Sequence, residues 1–116
     1  SEGFGKYFKL KDAISIRDLQ KKHGGTLLGD LNQKTTNKIA FCCGSGKSFL
    51  ASLPDRGITC MVTGEIGYHD EIFCELNVIT VLSLGHRESE NFVLPEIQGR
   101  LQKQFKTLDV QLFLRK

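Results

Sequence analysis

Apolar residues fall along this chain in short runs, each closed by glycine and followed by a more polar stretch. Residues 37–43 (NKIAFCC), 58–63 (ITCMVT) and 78–84 (VITVLSL) are three such runs, with the length and apolar content of buried strands. Gly44-Ser45-Gly46 turns the first into a helix predicted over 47–53. Gly64-Glu65-Ile66-Gly67 leads from the second into a helix around 68–76, and Gly85-His86 opens a longer helix after the third. In that last helix Ile97, Leu101 and Phe105 recur every four residues, as a core-facing stripe does. Pro95 falls in its first turns, where it can kink the helix.

Two flanking segments complete the pattern. Residues 6–11 (KYFKLK) alternate after the Gly3-Phe4-Gly5 turn and read as a short edge strand. Ser15 then caps a short helix, with Asp18 three residues on as a variant capping box, and Gly24-Gly25 end it. His23 sits in the last turn, where the helix dipole favours a cation, and reads as structural. Residues 108–114 alternate strictly and predict a half-buried strand that can form an exposed edge for pairing.

Strands alternating with helices at this spacing give an α/β fold with flanking helices and a mostly parallel or mixed sheet. The 116 residues form a single domain, 1–116. In such folds ligands bind outside the carboxyl ends of the strands, where three glycine-containing segments converge here: Gly44–Gly46, Gly64-Glu65 and Gly85-His86.

Composition narrows the function classes. With 40% hydrophobic and 25% charged residues, and 12 glycines against 2 prolines, the chain suits a packed core and not disorder. A net charge of +3, with Lys and Arg scattered, gives nucleic-acid binding only weak support. No apolar run approaches the ~18 residues of a membrane span, and the opening SEGFG lacks the basic start and apolar stretch of a signal peptide. The four cysteines form no C-x-x-C pair, and adjacent Cys42 and Cys43 point to opposite faces of a strand. Reduced thiols in the cytoplasm or nucleus are the expectation.

His86 and Glu90, four residues apart at a helix start, share one face at roughly 5–6 Å between Cβ atoms. Imidazole and carboxylate are ligands that zinc, iron and manganese accept, although a solvated polar face has the same spacing. The segment Thr63-Gly-Glu65-Ile-Gly-Tyr-His69-Asp70-Glu71 gathers three carboxylates and an imidazole between a strand and a helix, as a metal shell or general base requires. A preference of acids for the helix N-terminus accounts for Glu71 but less well for Glu65 and His69. Gly44-Ser-Gly-Lys-Ser48 is not a nucleoside-triphosphate loop, because the position that needs the first glycine is Phe41. Such a turn can still contact an anion. Neither a cysteine beside a base nor a G-x-S-x-G elbow supports nucleophilic catalysis by Cys42, Cys43, Ser45 or Ser48.

Taken in order, Cys43-Gly-Ser-Gly-Lys-Ser, Thr63-Gly-Glu-Ile-Gly-Tyr-His-Asp70 and Gly85-His-Arg-Glu-Ser-Glu90 resemble three motifs of the Nif-three-like proteins (relatives of NGG-one-interacting factor three). Gly3-Phe-Gly5-Lys6 resembles the turn that opens the second half of those proteins, so the likeness spans nearly the whole chain. The resemblance implies two-part α/β proteins that assemble into ring-like hexamers around paired divalent metals. It implies metal ligation by His86 and Glu90, with Ser89 in place of the usual Thr, and a pocket lined by Glu65 and His69. His69 is carried as a further candidate ligand and Glu65 as the candidate proton shuttle. The family's remaining ligands, a His-His pair and an Asp, belong to a first half that has no counterpart here, so this half alone is expected to hold metal weakly.

Two classes of function follow. One is a metal-dependent hydrolase acting on a nucleotide-like or other anionic small molecule, as the type-2 GTP cyclohydrolase label of some relatives suggests. The other is a non-catalytic metal-binding module that works through protein partners such as transcriptional regulators or metal recipients. Both are compatible with a homo-oligomer, and neither involves a membrane.

Overall fold

The computed structural model describes residues 4–43, 47–85, 99–103 and 107–114. Its strands are β1 (Phe4–Ser15), β2 (Thr26–Gly29), β3 (Thr35–Cys43), β4 (Cys60–Thr63), β5 (Thr80–Ser83) and β6 (Thr107–Leu114). Its helices are α1 (Ile16–His23), α2 (Lys47–Ser52) and α3 (Tyr68–Leu76), with a 3-10 turn at Pro54–Arg56 and a further helical stretch at residues 99–103. The strands form one mixed sheet in the order β2-β5-β4-β3-β1-β6. Pairing is parallel for β3 with β4 and β4 with β5, and antiparallel for β1 with β3, β1 with β6 and β2 with β5.

The parallel centre is what the three apolar runs predict, because a helix returns the chain between them. Alternation inside each run sends side chains to two cores. Phe8, Leu10, Ile39, Phe41, Cys60, Val62 and Leu82 face one side, where Ile16 and Leu19 of α1 and Leu101 cover them. Tyr7, Ala40, Cys42, Met61, Ile79 and Val81 face the other, under Phe49, Leu50, Leu53 and Cys74. A fully buried Leu, Ile or Phe contributes about 1.5–3 kcal/mol, so both faces must stay covered for the centre of the sheet to hold.

Local chemistry sets α1 as expected. Ser15 is extended and its Oγ accepts from the backbone N–H of Asp18 at 3.1 Å, while the Gly24 N–H donates to the Gln20 carbonyl at 2.7 Å. Two placements differ from the sequence reading. Residues 6–11 belong to a twelve-residue strand between β3 and β6, not to an edge. Tyr7, Phe8 and Leu10 are buried there, and an irregular register between Lys9 and Ile14 lets the strand run on with Lys11 to Ala13 exposed. Strand β2 was not anticipated: Thr26-Leu-Leu-Gly29 is four residues long and pairs with β5 at the far end of the sheet. Strand β6 takes the opposite end as predicted.

Leu101 of the predicted stripe is 3% exposed and lies in the first core. Ile97, Phe105 and Pro95 lie outside the described residues.

Candidate metal centre

Strands β4 and β5 end side by side, with Thr63 opposite Ser83. Their hydrogen bonding continues past the strand ends. The Leu84 N–H donates to the Thr63 carbonyl at 2.9 Å and the Gly85 N–H to the Gly64 carbonyl at 2.7 Å. Two hydroxyls reinforce the junction: Ser83 Oγ donates to the Gly64 carbonyl at 3.0 Å, and Thr63 Oγ1 reaches the Glu65 carbonyl at 3.4 Å. Gly85 takes φ +85°, a left-handed conformation that a side chain would strain. The turn carrying Glu65 is therefore fixed against the chain that leads into His86.

Glu65 is exposed in the turn after β4, and His69 is exposed in the first turn of α3. The His69 ring meets that of Tyr68 edge-on at 5.8 Å. Gly67 caps α3 without a side-chain bond, so Asp70 and Glu71 in the first turn complement its dipole. Glu65 precedes the helix, outside that account.

His86 and Glu90 lie outside the described residues, as do Ser89 and the Gly44–Gly46 turn. Among the described residues, no group of three or more His, Cys, Asp or Glu gathers to hold a metal. Glu65 and His69 thus supply one carboxylate and one imidazole, donor types that suit zinc, iron or manganese. They are too few to close a shell, since three protein ligands plus water is the usual catalytic set.

Cys60 and Cys74 do not enlarge that set. Cys42, Cys60 and Cys74 are buried and outside any disulfide. Burial pushes the Cys60 thiol up to about 12 from an ordinary 9.0. Burial likewise lifts Cys74 to about 12, with the carboxylates of Asp70 and Glu71 adding to it. A thiol held protonated at neutral pH is neither a good ligand nor a nucleophile.

Thr63 and Ser83 hold this junction together, a role not anticipated from the sequence. Their signal was a hydroxyl at or next to the last position of an apolar run, one or two residues before its glycine.

The profile of the Duf34/NIF3 (NGG1p interacting factor 3) family matches residues 1–116. The chain is 33% identical over 82 residues to a GTP cyclohydrolase 1 type 2 of Helicobacter pylori, covering 71% of this chain and 30% of that protein. It is 30% identical over 108 residues to the NIF3-like protein 1 of Drosophila melanogaster, covering 87% of this chain and 36% of that protein. A Bacillus cereus protein related to NIF3 superposes with a TM-score of 0.58 at 18% identity, covering 86% of this chain and 30% of the other. That likeness concerns the fold. The chain spans about a third of the length of the curated relatives it matches.

Proposed function

Because this chain belongs to the Duf34/NIF3 (NGG1p interacting factor 3) family, we propose that it presents His86, Glu90 and His69 to a divalent metal (zinc, iron or manganese) for hydrolysis of an anionic, nucleotide-like substrate. The observation that carries the reading is the junction of the β4 and β5 ends, where the Gly64 carbonyl accepts from both Gly85 N–H and Ser83 Oγ. It supports a site in which Glu65 and the residues after Gly85 act together. The name of the Helicobacter pylori relative lends the nucleotide direction.

In this reading His86 and Glu90 hold the ion, and His69 supplies a third donor. When bound, a divalent ion supplies Lewis acidity and makes water a competent nucleophile near neutral pH. Glu65, exposed beside the junction, takes and returns the proton as general base. General acid–base catalysis contributes about 10²–10⁴-fold, which sets the size of the test. Turnover of GTP and other nucleotides by the Glu65→Gln variant is expected to fall at least 100-fold with metal content unchanged. Equal turnover in the two proteins would remove Glu65 from the mechanism.

A second reading is a metal-binding module that acts through protein partners or self-association. It is favoured by β2 and β6, which end the sheet among the described residues and leave backbone groups suited to pairing with another chain. Its mark is the absence of turnover on any nucleotide, with partner capture indifferent to His86→Ala. Among the described residues, no helix is long and apolar enough to cross a membrane.

A further inference from the structure

The chain has two tyrosines, and they are used differently. Tyr7 is 5% exposed. Its ring stacks on Phe49 at 5.1 Å and carries the Arg56 guanidinium 4.2 Å from its centroid, while its hydroxyl bonds Ser52 Oγ at 2.6 Å. Tyr68, the first residue of α3, is 73% exposed. Among the described residues its ring meets only that of His69, at 5.8 Å between centroids and 62° between planes. Core packing therefore gives no reason for an aromatic ring at this position.

A single exposed aromatic is ordinary on a protein surface; what sets Tyr68 apart is its place. It follows Glu65 by three residues and immediately precedes His69, so its Cα lies within about 11 Å of that of Glu65. Aromatic pairs attract at roughly 4.5–7 Å between centroids, so the contact with His69 orients the Tyr68 ring while most of it stays open. Gly67 leaves the approach clear: its φ of −75° suits any residue, and a Cβ added there would meet no described atom within 4 Å. Asp70 and Glu71 lie in the same helical turn and disfavour an anion there. A neutral flat ring meets no such penalty.

We propose that Tyr68 is the platform on which the base of a nucleotide stacks when its phosphates lie at the candidate metal centre. This rests on the reading of that centre as a site for a nucleotide-like substrate, and it adds the feature that separates a nucleotide from other anionic molecules. An aromatic side chain holds a base by its π-face, which every base has. Tyr68 thus selects for the presence of a base and not for which base it is.

The test is ¹⁹F NMR of the chain labelled with 3-fluorotyrosine, which places one reporter at Tyr7 and one at Tyr68, assigned with Tyr68→Phe. GTP and inorganic triphosphate are titrated into the metal-free chain, where stacking is read apart from turnover. GTP is expected to shift the Tyr68 resonance saturably and to leave the buried Tyr7 resonance in place, and triphosphate to shift neither. By equilibrium dialysis, Tyr68→Ala should weaken GTP about tenfold and Tyr68→Phe less than about twofold, with triphosphate binding the same in all three proteins. The Tyr7 resonance reports whether Tyr68→Ala stays folded. With metal added, Tyr68→Ala should raise the KM for GTP by a similar factor and leave kcat within about twofold, as loss of uniform binding does. Saturable stacking of GTP in a chain that turns over no nucleotide would remove the hydrolytic reading and leave this role of Tyr68 standing. Turnover at an unchanged KM in Tyr68→Ala would do the reverse. The proposal is also overturned if GTP leaves the Tyr68 resonance unmoved, if triphosphate moves it as far, or if Tyr68→Phe loses as much affinity as Tyr68→Ala.

Discussion

Gly29 closes β2 with φ +75°, and a Cβ added there would stand 2.5 Å from the Ile79 carbonyl oxygen and 3.3 Å from Cys74 Cβ. The nearer obstacle is backbone immediately before β5, which cannot swing aside as a side-chain tip would. Strain at a left-handed position costs about 1–3 kcal/mol, and the close approach adds to it. Gly29→Ala is therefore expected to lower unfolding stability by about 2–4 kcal/mol, readable in a urea melt. The buried thiols make a second residue-scale prediction. Cys60 and Cys74 are both held at about 12 against an ordinary 9.0, so the folded state keeps protons that the unfolded chain releases. Stability from this source is complete below pH 9 and falls as pH rises toward 12, by about 1.4 kcal/mol per pH unit for each thiol. Cys60→Ala should flatten that decline relative to the parent chain, since other alkaline titrations are common to both. An identical pH slope in the two proteins would show that Cys60 is not buried as described.

At the scale of the element, α1 depends on its first cap. Ser15→Ala removes the acceptor for the Asp18 N–H and should cost about 1 kcal/mol, an effect that Ser15→Asp restores. Helix α1 was legible in the sequence because Ser15, Asp18 and Gly24 act on backbone within one turn of themselves. The parallel centre was legible for a related reason: buried strands in a βαβ run are apolar on both faces, so Ile39 to Cys42 and Cys60 to Val62 announce themselves. Strand β2 was not. Leu27 and Leu28 become strand residues only through β5, far along the chain, and the three residues between Gly25 and Gly29 carry no period of their own. The interior position of β1 was hidden similarly, because its second neighbour is β6 at the other end of the sequence. The candidate site divides along the same line. Glu65 and His69 could be placed after an apolar run ending in glycine, but the Gly64–Gly85 hydrogen bond that joins the two turns is a tertiary contact. The same junction yields an element-scale prediction. Ser83→Ala deletes one donor to the Gly64 carbonyl and should cost about 0.5–1.5 kcal/mol, with any metal affinity falling alongside. An unchanged melt and unchanged affinity would mean the junction is held by backbone alone.

For the whole molecule, the parallel strands deliver Glu65, and the chain leading to His86, to one end of the sheet. This chain matches about a third of its relatives' length. In the proposed reading its own two or three donors would fix the position of an ion without enclosing it, so that binding is expected to be weak. The proposed binding of a divalent metal by His86 and Glu90 is decided by titrating the chain with Mn²⁺ while the free ion is counted by its EPR signal. One saturable site is expected in the parent chain, weakened at least tenfold by His86→Ala and by Glu90→Ala and less by His69→Ala. A chain that takes up no Mn²⁺, or one whose affinity survives both His86→Ala and Glu90→Ala, would contradict it.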